Sequence, residues 1–148
     1  MYTKTLHAGW GDMDFNSHMA NTAYLDKTAD VRQMHLIENG FHVDEFSRLR
    51  MGPVVKKDEV EYFAGVKLQE LITVTYALAG HSADGSRFIL RHEIFRSDGK
   101  LAARVTSTGG WLNLGLRKLM APPPALLAAM NSLEHTADFV ELASSVAR

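Results

Sequence analysis

Between Gly11 and Tyr24 the chain sets a carboxylate, an amide and an imidazole at alternate positions, Asp14, Asn16 and His18, just ahead of a segment that reads as a long helix. A helix start needs one polar side chain as its cap, and Asn16 or Ser17 suffices by accepting a hydrogen bond from a free amide of the first turn. The other polar groups are then left for chemistry. At a helix N-terminus, unpaired N–H groups and the positive end of the dipole can hold a developing oxyanion. A carboxylate beside them can attack a carbonyl or take a proton from water. The structural readings stand next to these: an Asp that only closes an Asx-turn, an Asn that only caps, a His that is merely satisfied locally.

The elements that must position these groups follow from periodicity. Tyr2 to Trp10 reads as a strand, ended by Gly11-Asp12. From Ala20 to Glu38 no Gly or Pro interrupts, and Ala20, Ala23, Tyr24, Val31 and Met34 recur at helical spacing, until Asn39-Gly40 supplies a C-terminal stop. A short helix is expected over Asp44 to Arg50. Strands follow at Val54 to Phe63, Leu71 to Ala79, Arg87 to Phe95 and Leu101 to Leu114. In the second of these, Ile72, Val74, Tyr76 and Leu78 alternate with Thr73, Thr75 and Ala77, the pattern of a sheet with one buried face. Asp98-Gly99 is a hairpin signal, so the last two strands should be antiparallel neighbours. Pro122-Pro123-Pro124 ends the region, and the Ala- and Leu-rich stretch from Ala125 to Arg148 reads as one or two terminal helices. The pattern alone gives an α+β class.

The chain has 148 residues, 46% hydrophobic and 22% charged. This is the composition of one globular domain, expected to span 1–148. A net charge of −1 offers no global attraction to nucleic acid. The lack of cysteine excludes a thiolate nucleophile, a disulfide frame and a Cys-based zinc site. No apolar run has membrane-spanning length and the N-terminus lacks a signal-peptide core, so the expectation is a cytoplasmic protein with no membrane partner. Asp12, Asp14 and His18 have no second histidine cluster to complete a metal site. A phosphate-binding glycine loop and a nucleophile elbow are both missing.

The segment Asp14-x-Asn16-x-His18-x-x-Asn21-x-x-Tyr24 resembles the active-site segment of hot-dog-fold thioesterases. It is most similar to the acyl-acyl carrier protein thioesterases and, more loosely, to the 4-hydroxybenzoyl-CoA thioesterase group. The resemblance implies a single hot-dog domain: a curved antiparallel sheet wrapped around one long central helix, with a C-terminal helix. It implies hydrolysis of an acyl-CoA or acyl-acyl carrier protein thioester to acid and thiol, with no cofactor beyond the coenzyme A of the substrate and no metal. Asp14 would be the general base or nucleophile, with Asn16 and His18 positioning water and substrate. Asn21 matches the position whose backbone N–H points at the substrate carbonyl. Tyr24 is grouped with it as substrate-binding, although its apolar helix face also suits a core aromatic. Ser17 stands where many relatives have Gly, and Ala20 where the acyl carrier protein enzymes have a second Asn; neither departure removes a proposed catalytic group. The family further implies a homodimer, or a dimer of dimers, with active sites at the subunit interface.

Arg87, Arg117 and Lys118 are candidates for the phosphates of coenzyme A, as are Arg91 and Arg104, although arginines on strands are more often solvated. Gly109-Gly110 mark either a strand bulge or room for an acyl chain. Two other functions compete: a hot-dog enoyl-thioester hydratase or dehydratase, and a non-catalytic acyl-thioester binding domain. The hydratase motif normally has a proline and one more residue between Asn and His, and both are missing here.

Overall fold

In a computed structural model that describes residues 1–146, the sheet begins with β1 (Tyr2–His7) and the long helix is α1 (Ala23–Glu38). After the short α2 (Val43–Leu49) come β2 (Met51–Tyr62), β3 (Leu71–Ser82), β4 (Arg87–Phe95) and β5 (Leu101–Asn113). The short β6 (Lys118–Met120), α3 (Pro124–Asn131) and β7 (His135–Leu142) close the described chain. The strands lie in the order β1-β3-β4-β5-β2, with β6 added beside β5 and β7 beside β3. All pairings are antiparallel except β3 with β7. The β4–β5 hairpin turns at Gly99, whose φ of 84° is the left-handed conformation its Asp-Gly signal anticipated.

Helix α1 lies against one face of the sheet because its buried residues, Ala23, Tyr24, Thr28, Val31, His35 and Leu36, form one stripe. The sheet meets it with the alternation read from the sequence. Ile72, Val74, Tyr76 and Leu78 of β3 are all buried, as are Phe88, Leu90, His92 and Ile94 of β4. The rest of the core is continuous with this interface. Strand β2 is an edge: its inner side pairs with β5, and Pro53, which cannot donate to a ladder, is tolerated there.

Several elements differ from expectation: β1 ends at His7, with Trp10–Asp12 in a 3₁₀ turn where the strand was read to continue, and the short β6, not anticipated from the sequence, pairs with β5. Helix α1 starts at Ala23 and not at Ala20, because tertiary bonds hold the preceding residues extended: Met19 N–H donates to the Val66 carbonyl at 2.7 Å and Ala20 N–H to the Asp12 carbonyl at 2.8 Å. From Pro124 the described residues form one helix, of eight residues, and His135–Leu142 is a strand. Helix propensity loses here to an open edge: β1 covers β3 only from Leu71 to Tyr76, so the remainder accepts β7, with Val140 opposite Gly80. The last residues of the expected terminal helices, 147–148, lie outside the described residues.

Candidate active site

Between β1 and α1 the chain forms a small hairpin-like loop. Met13 bridges Met19, and the Asp14 amide donates to the His18 carbonyl at 2.7 Å. Ser17, at the tip, has φ 59°. That left-handed conformation costs an L-residue roughly 1 kcal/mol and suits Gly, which accounts for Gly at this position in the resembling family. With Thr22 at the N-cap of α1 and no side-chain cap bond, neither Asn16 nor Ser17 caps the helix. The cap reading of those residues is therefore corrected.

The loop closes around the Asp14 carboxylate. Its Oδ1 accepts the amides of Asn16 at 2.8 Å and His18 at 3.2 Å. Asp14 is exposed, and among the described residues its Oδ2 has no hydrogen-bonding or ionic partner. It is thus the backbone of Asn16 and His18 that orients Asp14. The side chains of Asn16 and His18 are exposed, and the His18 ring packs over the backbone of Gly65, where a Cβ would come within 3.3 Å of it.

Asp12, two residues earlier, is used differently. Its Oδ2 accepts the Gly9 amide at 2.8 Å and meets Lys27 Nζ of α1 at 2.8 Å, tying the loop to the helix. Burial pushes this carboxyl up, but Lys27 and the Gly9 amide outweigh it and hold it below the usual carboxylate range. One aspartate is consumed by structure and the other is left accessible.

Asn21 and Thr22 are exposed and lead directly into the first turn of α1, where helix geometry leaves amides without intrahelical acceptors. Their position is fixed by a residue that sequence reasoning missed: the Tyr62 hydroxyl, at the end of β2, donates to the Asn21 carbonyl at 2.7 Å. Tyr24 is buried, its ring meets Tyr62 edge-on at 5.2 Å, and its hydroxyl points to the Ala64 carbonyl at 3.5 Å. Burial raises the Tyr24 hydroxyl, with Tyr62, Glu70 and Asp14 adding to it, so the phenol stays protonated.

Tyr62, Gly65 and Lys67, the last bridged to His18, complete this end of the molecule. They follow Asp14 by about fifty positions in sequence. The Ala64-Gly65 turn signal marks the place, but nothing in the sequence connects it to Asp14. Phe15 and Trp10 stand fully and largely exposed beside the loop.

The coenzyme A candidates lie elsewhere. Arg117, in the β5–β6 turn, and Lys118, at the start of β6, are exposed, and Arg87 starts β4 opposite Gly110. Tyr62, which holds Asn21, pairs with Ala103 near the opposite end of β5. Ten strand residues, about 33 Å at 3.3 Å each, separate that end from Asn113. Within one chain these cations and Asp14 are not brought together. Arg91 and Arg104 are engaged, with Asp138 and with Glu93 and Glu61. Among the described residues no cluster of three or more His, Asp or Glu side chains could hold a metal ion, and no helix is long and apolar enough to cross a membrane. Gly109 and Gly110 leave no room for an acyl chain: a Cβ would lie 2.0 Å from the Val54 oxygen or 2.4 Å from the Ser86 oxygen. They permit close strand approach.

The chain is similar to known proteins across this same region. The L-carnitine dehydrogenase/betainyl-CoA thioesterase of Agrobacterium fabrum is 28% identical over 127 residues, which is 86% of this chain and 26% of that protein. The chain therefore spans about a quarter of the length of this curated relative. Among solved structures, a hypothetical protein of Staphylococcus aureus in complex with CoA superposes with a TM-score of 0.80 at 22% identity, over 88% of this chain and 81% of its own. A 1,4-dihydroxy-2-naphthoyl-CoA thioesterase from Synechocystis gives a TM-score of 0.80 at 18% identity, over 91% and 98%. These likenesses establish the hot-dog fold expected from the motif. The model of the thioesterase-like superfamily matches residues 8–130, from the end of β1 through α3, and the chain belongs to that superfamily.

Proposed function

We propose that this protein hydrolyses an acyl thioester of coenzyme A, or of an acyl carrier protein, to the free acid and thiol. One observation carries the reading. An exposed carboxylate, Asp14, is anchored through one oxygen by two backbone amides, in the loop that feeds the N-terminus of the central helix. The anchored oxygen fixes the direction of the other, which acts on the thioester carbonyl carbon directly or on a water that attacks it. The carbonyl oxygen gains the charge, and the amides of Asn21 and Thr22 stabilise it at the helix start, the Ala23 amide being taken by the Ala20 carbonyl. The tetrahedral species then expels the thiolate, which leaves as thiol after taking a proton. Direct attack would leave an anhydride at Asp14 for water to open; general-base attack gives the acid in one step. The side chains of Asn16 and His18 bind the water or the thioester. Tyr24 shapes the floor of the site from within the core.

The working unit in this proposal is a homodimer. Residues 55–59 of β2 are exposed in succession, as on an unpaired edge, and Phe15 and Trp10 present uncovered aromatic surface beside the loop. Antiparallel pairing of two β2 strands about their middle sets the Met51 end of one against the Tyr62 end of the other. The β5–β6 turn follows the Met51 end, since Met51 pairs with Asn113. Arg117 and Lys118 of one copy thereby approach Asp14 of the second, where the phosphates of coenzyme A would bind.

The test is thiol release from a panel of CoA thioesters with short, long, branched and aromatic acyl groups, and from acyl-acyl carrier protein. The panel includes betainyl-CoA because of the Agrobacterium relative. Turnover of at least one is expected, and no release from any substrate would overturn the proposal.

A further inference from the structure

Between α1 and the sheet, opening past the β2 edge, Arg32, Leu36, Val55, Phe88, Leu90 and Trp111 line a narrow cavity. Its volume is about 30 Å³. Its walls are mostly apolar; besides Gln33 and Tyr76, two wall residues bring N–H donors to it. The Trp111 indole N–H is buried and has no hydrogen-bond partner among the described residues. The other is the Arg32 guanidinium, which projects from α1 into the protein.

Among the described residues Arg32 makes one side-chain hydrogen-bond contact, from its Nη1 to His92 Nε2 at 3.4 Å. The His92 Nδ1 lies 2.9 Å from the Thr75 carbonyl, which only accepts, so Nδ1 carries the ring proton and Nε2 the lone pair. His92 is fully buried, and burial with the Arg32 charge brings it down to about 3. The guanidinium therefore faces a neutral imidazole. Among the described residues it makes no salt bridge, and the nearby Asp58 carboxylate bonds the Ser107 hydroxyl. Half-buried, with its remaining donors open to water, the guanidinium presents a planar fork that suits a carboxylate.

We propose that Arg32 selects thioesters whose acyl group carries a carboxylate, which enters this cavity and pairs with the guanidinium. The inference rests on the thioesterase reading above and names its substrate class. The geometry sets the reach. His92 pairs with Val105 of β5, two residues along from Ala103, whose partner Tyr62 holds the start of α1. At 3.3 Å per residue the His92 row lies about 7 Å along the sheet from the Ala103 row, and Arg32 lies ten helix residues, about 15 Å, past Thr22. The carboxylate site is thus on the order of 10 Å from the thioester carbonyl, which suits monothioesters of medium-length dicarboxylic acids. The Trp111 N–H and the apolar wall lie beyond. A quaternary ammonium at the same position would meet the Arg32 charge and be rejected.

The test compares glutaryl-, adipyl- and suberyl-CoA with neutral acyl-CoAs of equal length and with betainyl-CoA, for wild type, Arg32→Met and Arg32→Lys. Wild type is expected to favour a carboxylate substrate in kcat/KM by about 10- to 100-fold. Arg32→Met should lose that preference while keeping turnover of neutral thioesters, and Arg32→Lys should restore part of it. Turnover with no carboxylate preference, or an unchanged preference in Arg32→Met, overturns this inference and leaves the thioesterase reading standing. Binding of the thioether S-(4-carboxybutyl)-CoA against S-pentyl-CoA, measured by calorimetry, decides the question independently of turnover. Tighter binding of the carboxylate by wild type alone supports the inference; equal binding by wild type refutes it. The melting temperature of Arg32→Met, unchanged within a few degrees, separates loss of selectivity from loss of fold.

Discussion

Replacing Gly109 by alanine asks whether the paired glycines serve the sheet or an acyl chain. Gly109 sits in β5 between β2 and β4, opposite Val55 and Phe88, where β2 shifts register between Val55 and Lys57. An added Cβ would stand 2.0 Å from the Val54 carbonyl oxygen, whereas ordinary contact begins at 3.4 Å. The obstacle is backbone, so no side chain can rotate away, and β2 must move off β5 locally. About two ladder hydrogen bonds are lost, at roughly 1 kcal/mol each, and added packing strain costs about 1–3 kcal/mol. The expected loss is about 3–5 kcal/mol, a large share of the 5–15 kcal/mol typical of a domain. For a chain of this size that lowers the melting temperature by roughly 6–20 °C. The matched control is Gly52→Ala in β2, where no atom lies within 4 Å of the new Cβ and the change should stay within about 0.5 kcal/mol. Urea titration of the three proteins gives the comparison. A Gly109→Ala protein within about 1 kcal/mol of wild type would refute the close approach and reopen the acyl-chain reading.

Stability should fall on acidification through His92, which is held at about 3 in the fold and titrates near 6.5 when free. Between those values the unfolded chain takes up a proton that the folded one does not. Stability is then complete above pH 6.5 and drains by up to about 1.4 kcal/mol per unit below it. His92→Gln should show a shallower slope in urea titrations from pH 7 to 4, with His35 and His81, shifted in the same direction, supplying what remains. Tyr62→Phe removes the bond to the Asn21 carbonyl at 2.7 Å; thioester turnover is expected to drop about five- to tenfold, for roughly 1 kcal/mol of lost positioning, with the fold intact by circular dichroism. In sedimentation the protein should run at twice the 16.4 kDa of one chain, and Val55→Pro should shift it to monomer and abolish turnover together.

Most of the fold was legible because its signals are local. The alternation in β3, the Asp98-Gly99 turn and the Asn39-Gly40 stop each depend on residues that are neighbours in sequence. The failures came where tertiary contacts decide. The start of α1 is delayed by bonds from Met19 and Ala20 to Val66 and Asp12, and β7 forms because β1 leaves part of β3 uncovered. The site divides the same way. Asp14 and its motif were visible, and the Gly usual at position 17 in the resembling family now has a reason in its φ of 59°. Tyr62 was invisible because only folding carries it to Asn21. Arg32 was hidden because periodicity can bury a residue but cannot show that, among the described residues, it makes no salt bridge.

The most direct test of the central claim is kcat/KM for wild type and Asp14→Asn on the best thioester of the panel, with the melting temperatures measured alongside. The amide keeps an acceptor oxygen for the Asn16 and His18 amides but cannot serve as base or nucleophile. The account predicts a loss on the order of 10²–10⁴-fold at unchanged fold. Turnover within a few-fold of wild type would contradict it and remove Asp14 from the chemistry.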